Sequence, residues 1–334
     1  MTVSDAQQRL AKLMPGFRST QCIFAAAELG IPDLIAGGTT TLDGLAEATE
    51  TNRRALFRLL RYLVSHDVFA EAEGTYQLTP IGELLRSDVE GSRRATARMN
   101  GRFLPAWGEI SHSLATGNSA FAKAYGLGAF DYFSQNPADG AIFDAVMSEI
   151  HGPESAAISA AYDFSSFSTL IDVGGGNGSF LMHILNSNPS LRGTVFDLPS
   201  VVDRTRAAIA KAGMGDRCTV AGGNFFKSVP EGADAIMLRH ILHDWDDDVS
   251  GSIVTNWRRA LPADGRVLVA ELIMADDQEP SLAEEVDIAM LVLVGGIERT
   301  VAEYHDLFGR AGLSLTTIIP TDSPVCLIEG RIQT

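Results

Sequence analysis

The chain has 334 residues, 46% hydrophobic and 20% charged, a globular composition that excludes a disordered or collagen-like polypeptide. A net charge of −16 argues against nucleic acid or an anionic membrane as the main partner. The three cysteines, Cys22, Cys218 and Cys326, have no paired spacing, which argues against a disulfide framework or a zinc pattern and suits a reducing compartment.

The opening residues lack the basic-then-apolar layout of a secretory leader, and no apolar run approaches the length of a bilayer span, so a cytoplasmic protein is expected. Apolar residues at helical spacing over residues 6–30 (Leu10, Leu13, Met14, Phe17, Ile23, Phe24, Ala27) predict a helix broken at Pro15-Gly16. So apolar an opening helix either awaits a second chain or packs on its own domain. Three short helical patterns follow, at 32–35, 41–48 and 53–64, with Thr41 and Asn52 as N-caps. Two strands, 69–72 and 75–78, turn at Glu73-Gly74, and the whole reads as a winged helix. Arg53, Arg54, Arg58 and Arg61 lie on the would-be recognition helix. Residues 41–90 nevertheless hold five arginines and no lysine against nine acids, a local net of −4, whereas a DNA-reading wing is normally basic. An assembly role is the expectation.

Residues 91–164 are helical in pattern and rich in rings: Phe121, Tyr125, Phe130, Tyr132 and Phe133. These, with Met99, Asn100, Trp107, Phe143 and Met147, are either ordinary core or the wall of a pocket for a flat aromatic acceptor.

Residues 169–181, TLIDVGGGNGSFL, organise the remainder. A buried strand ends at three alternating glycines, Gly174, Gly176 and Gly178, and a helix begins at Ser179. This is how a nucleotide-like cofactor is held at the carboxyl edge of a parallel sheet. The third glycine is out of place for a dinucleotide fingerprint, and no phosphate-binding lysine follows. Asp172, just before the first glycine, suits a ligand carrying an ammonium rather than a pyrophosphate. The spacing D-x-G-x-G-x-G resembles the first motif of S-adenosylmethionine (SAM) methyltransferases. Asp197 ends a second strand (193–196) about 20 residues on, where a carboxylate chelates a ribose diol in doubly wound folds. Strands at 218–221, 233–238 and 266–271 follow, and an antiparallel pair, 316–319 and 325–329, closes the chain.

Six segments in this order, LIDVGGGNGSF, FDLPSVV, GGNFF, HILHDWDDD, VAELI and GGIERT, resemble the plant caffeic-acid-type O-methyltransferases and their bacterial relatives over nearly the whole chain. The resemblance implies an α/β, Rossmann-like SAM methyltransferase domain (166–334) with a seven-stranded sheet whose last strand is antiparallel. It implies a winged-helix dimerisation domain (1–100) and a helical linker (101–165) that contributes to the acceptor pocket. His243 matches the family's catalytic base, with Glu271 and Glu298 as the two acids flanking it. Asp172, Gly174, Gly176, Asp197, Leu198, Asn224, Phe225 and Arg239 are the implied SAM contacts. His240, Asp244 and Met290 join Met99, Asn100, Trp107, Phe143 and Met147 as the acceptor pocket. Asn224 stands where the plant enzymes carry aspartate, Arg239 where they carry lysine, and His240 where they carry tryptophan.

The implied activity is methylation of a hydroxyl on a small phenolic, phenazine or polyketide-like metabolite by a homodimer. The alternatives are a relative that binds SAM without transferring methyl, acting as hydroxylase, decarboxylase or pericyclase, or a winged-helix regulator. His240 and His243, three apart on an expected helix, raise the question of a metal. No third ligand has evident spacing, so none is expected. His66, His112, His151, His183 and His305 are read as structural or exposed.

Overall fold

A computed structural model describes residues 3–275 and 281–333. The chain divides into two compact units. One holds the residues up to Gly108 together with Phe130–Ile150, the other Glu109–Ala129 and everything from His151 on. Residues 101–165, expected as one linker, are thus shared between the two. The long helix Pro137–Ala161 crosses the division close to Pro153, which has no N–H for the helix ladder.

In the first unit, Val3–Leu13 and Gly16–Glu28 are separate helices, parted at the expected Pro15. Helices Ile31–Ala36, Leu42–Ala48 and Arg53–Val64 precede the hairpin of β1 (Phe69–Ala72) and β2 (Thr75–Leu78). Thr41 and Asn52 cap as expected, accepting from the Gly44 and Ala55 amides. Leu56, Leu60 and Leu63, at helical spacing, bury one face of Arg53–Val64 against Leu45, Phe69 and Tyr76. Arg53, exposed in the first turn of the same helix, pairs with Asp43. The opening helix Val3–Leu13 has no buried residue.

The second unit is built on a seven-stranded sheet. Its strands are β3 (Thr169–Val173), β4 (Arg192–Asp197), β5 (Cys218–Gly222), β6 (Ala235–Arg239), β7 (Arg266–Glu271), β10 (Leu313–Pro320) and β11 (Cys326–Ile332), with the short parallel pair β8 (Ile273–Met274) and β9 (Arg299–Thr300) outside it. The order is β10-β11-β7-β6-β3-β4-β5, and β11 alone runs against its neighbours, as expected. The fourth large strand begins two residues later than expected and runs on through Arg239, while β10 is longer at both ends and β11 begins one residue later and runs on to Ile332.

Period-two alternation assigns the two faces. Leu170, Val195, Met237 and Leu268 belong to one core; Ile171, Val173, Leu238 and Val269 belong to the other, around Trp257 and Phe308. From β3 the chain winds outward through β4 and β5, then returns to place β6 and β7 on the other side. The crevice where β3 and β6 diverge is therefore the topological switch point, where open α/β sheets bind ligands.

Candidate active site

The carboxyl edge of the sheet gathers Asp172 and the glycine turn from β3, Asp197 from β4, Arg239 from β6 and Glu271 from β7. In the turn, Gly174, Gly176 and Gly178 all have positive φ, between 56° and 77°, which side chains with a Cβ rarely adopt. A Cβ on Gly174 would collide with the Ile241 side chain, whereas one on Gly176 would meet open space. Asp197 braces the turn, its carboxylate accepting the Gly176 amide at 2.8 Å and the Leu198 amide at 2.6 Å. Leu198 itself is 48% exposed. Asp172 is buried, and its Oδ2 has no hydrogen-bond partner among the described residues. Burial pushes its carboxyl up to about 7, against the pull of Arg239. An orphaned buried carboxylate oxygen beside an open glycine cradle, at the switch point, fits a cationic nucleoside such as SAM.

Arg239 lies two residues beyond Met237 on the same strand face and stacks over the Phe180 ring at 4.2 Å. It donates to the His151 carbonyl at 2.9 Å and to Ser155 Oγ at 3.0 Å. The Asn224 amide oxygen accepts the Phe226 amide at 2.9 Å, closing the turn after β5. Phe225 is half-buried beside it, against the core that holds Trp257.

His243 sits on a 3₁₀ turn, Leu242–Asp244, not on the expected helix. Its Nδ1 is 2.6 Å from Glu298 Oε1, and both side chains are buried. Nε2 is left facing Asp244 at 3.6 Å, beyond hydrogen-bond reach. Burial disfavours the imidazolium, but the bond to Glu298 and the carboxylates of Asp244 and Glu271 outweigh it and lift the group to about 9. Burial likewise raises the Asp244 carboxyl, to about 7.

Glu271 meets His243 at its backbone amide. It does not hydrogen-bond the ring. Its Oε1 accepts the backbone amides of Ile241, Leu242 and His243 at 3.1, 2.6 and 3.3 Å, and its Oε2 accepts the Tyr304 hydroxyl. Arg299, fully buried, grips the same turn from its carbonyl side, donating to Leu242 O at 3.0 Å and Trp245 O at 2.8 Å, and also to Ser250 Oγ. Arg299 and Tyr304 were missed by sequence reasoning; Arg299 lay inside the quoted GGIERT, but nothing in its spacing indicated what it would hold.

Two expected groupings draw their residues from both units. Phe121 and Tyr125 stack on each other in the second unit, while Phe133 stacks on Phe143 in the first. Of the expected acceptor wall, Met99, Asn100, Trp107, Phe143 and Met147 lie in the first unit, and His240, Asp244 and half-buried Met290 in the second. His151, read as structural or exposed, stacks on His240 with ring centroids 4.0 Å apart.

A doubly wound sheet with a glycine cradle at its switch point and a carboxylate-held histidine beside it defines a Rossmann-like SAM methyltransferase. The O-methyltransferase domain model matches residues 107–314 and the O-methyltransferase dimerisation domain model residues 11–88. The chain belongs to the SAM-dependent O-methyltransferase family. It is 39% identical to the phenazine O-methyltransferase of Lysobacter antibioticus, over 96% of this chain and 95% of that one. It is 39% identical to the 3-amino-4-hydroxybenzoate 4-O-methyltransferase of Streptomyces cremeus, over 94% and 87% of the two chains. Among solved structures, an O-methyltransferase of neocarzinostatin biosynthesis, in complex with S-adenosylhomocysteine and 1,4-dihydroxy-2-naphthoic acid, superposes with a TM-score of 0.86 at 32% identity, covering 94% of this chain and 96% of that one. Among the described residues, no helix is long and apolar enough to cross a membrane.

Proposed function

We propose that the protein methylates a hydroxyl of a small phenolic, phenazine or polyketide-like metabolite, with His243 as general base, and works as a homodimer. One observation carries the reading: the His243 ring is fixed through Nδ1 by Glu298, so Nε2 is the nitrogen left to take a proton at the carboxyl edge. The relatives named above act on a phenazine and an aminohydroxybenzoate, and the solved neighbour holds a hydroxynaphthoic acid, all flat and hydroxylated.

Bound SAM supplies an electrophilic methyl on a cationic sulfur. The phenol, with a pKa near 10, is mostly protonated at neutral pH, so a base placed at its hydroxyl accelerates transfer by roughly 10²–10⁴-fold. The hydroxyl proton passes to His243 Nε2 as the oxygen takes the methyl. Glu298 holds the ring in the tautomer that leaves Nε2 free and stabilises the imidazolium that forms. Asp172, Gly176 and Asp197 bind the donor, and Glu271 and Arg299 hold the turn that carries the base. The exposed apolar residues of the opening helices, Leu10, Leu13, Met14 and Phe17, are the surface that a second copy would cover.

The test incubates the protein with methyl-labelled SAM and a panel of phenols, hydroxyphenazines and hydroxynaphthoates. Labelled methyl ether is the expected product. An acceptor altered without gaining label, with SAM recovered intact and no S-adenosylhomocysteine formed, would overturn the reading in favour of SAM-assisted chemistry without transfer.

A further inference from the structure

His151, Glu154 and His240 form a buried cluster that the mechanism does not use. Each offers a ligand atom within 4.8 Å of the others, the spacing of a metal site. The ring geometry speaks against a metal. The two imidazoles stack with planes only 8° apart. An ion bound through imidazole nitrogens lies in the plane of each ring, and two stacked, nearly parallel planes meet only far outside the cluster.

What the cluster does hold is an unmet hydrogen bond. His240 Nε2 lies 2.9 Å from Glu154 Oε2, and both side chains are 8% exposed. With Glu154 ionised, Nε2–H donates and Nδ1 becomes an acceptor. That Nδ1 is buried and has no partner among the described residues. The backbone is strained to put the ring there: His240 has φ +53°, a region that non-glycine residues seldom occupy. Strain, a braced ring and an orphaned acceptor together mark a site prepared for a ligand. The ring centroid lies 5.2 Å from that of His243. A single aromatic ligand with two adjacent polar groups spans such a gap.

We propose that His240, braced by His151 and Glu154, recognises a hydrogen-bond donor on the acceptor ring next to the hydroxyl that is methylated, either a second phenolic hydroxyl or a ring amino group. This rests on His243 marking the place of the reacting hydroxyl. The donor is assigned to the acceptor rather than to the cofactor because the His240 ring lies within 5.2 Å of His243, the base at which the acceptor's hydroxyl reacts.

The test is calorimetric and needs no turnover. The complex with S-adenosylhomocysteine is titrated with 2,3-dihydroxynaphthalene and with 2-naphthol. The wild type is expected to favour the diol by about tenfold, one neutral hydrogen bond plus relief of the unpaired nitrogen. His240→Phe keeps a ring to stack on His151 and is expected to lose that preference, with S-adenosylhomocysteine affinity unchanged. His240→Asn, whose side-chain oxygen takes the place of Nδ1 and whose backbone tolerates positive φ, is expected to retain it. Equal affinity of the two naphthols for the wild type overturns the proposal, whatever the variants do. So does a preference that survives in His240→Phe, or a loss of S-adenosylhomocysteine binding there, which would assign the donor to the cofactor's ammonium. Binding in this complex involves no proton transfer, so failure of the base assignment would appear separately, as turnover retained by His243→Ala.

Discussion

His243 is surrounded by carboxylates, and their combined pull lifts it from 6.5 to about 9 despite its burial. The resting side chain at neutral pH is therefore the imidazolium, which cannot act as a base. A sulfonium bound beside it would oppose this, since a like charge disfavours the protonated form. At pH 8, SAM is expected to release a proton on binding, whereas S-adenosylhomocysteine, with an uncharged sulfur, is not. Calorimetry in buffers of different ionisation enthalpy reads the difference, and His243→Ala should abolish it. Equal proton release by both ligands would contradict the placement of the donor beside the ring. The same shift affects folding. Because the folded group binds its proton more tightly than the unfolded one, its stabilising contribution is complete below pH 6.5 and is lost as pH rises through 9. The melting temperature of the unliganded protein should fall across that window, and less steeply in Glu298→Gln.

The 3₁₀ turn that carries His243 is held as a unit, its amides on Glu271 and its carbonyls on Arg299. Glu271 therefore holds the turn through its backbone amides, besides adding its charge to the pull on the His243 ring, and the first of these is expected to matter more. Glu271→Gln, which keeps a carbonyl oxygen for the three amides, should retain kcat within about tenfold. Glu271→Ala strands those amides and should cost about 1–3 kcal/mol of stability along with most of the activity. If glutamine and alanine are equally damaging, the charge is what matters and Glu271 acts on the ring. The strands that carry these residues were legible because β-period alternation and glycine punctuation are local signals. The grip of Arg299 on Leu242 and Trp245 was not, since it joins residues more than fifty positions apart through a fold the spacing does not reveal. Asn224 shows a different limit: its residue type suggested a ligand contact but not the turn that its oxygen also closes.

Over the whole molecule, the winged-helix unit and the doubly wound unit both followed from chain order, and the assembly role expected of the first agrees with its match to a dimerisation-domain model. The division of residues 101–165 between the two units was not legible, because helical periodicity reports that a segment is amphipathic and not which core it joins. At this scale the exposed apolar residues Leu10, Leu13 and Phe17 (56%, 67% and 54% exposed) form the surface proposed for the dimer. Replacing Leu10 and Leu13 together by glutamate should yield a monomer by light scattering; an unchanged mass would place the interface elsewhere. The central claim, that a base at the end of β6 takes the acceptor's proton as the methyl moves, is tested most directly by comparing His243→Ala with the wild type on phenols of graded acidity. Single-turnover rates should fall by roughly 10²–10⁴-fold on an ordinary phenol and far less on a nitrophenol that is already ionised at neutral pH. An equal loss on both acceptors would contradict the claim.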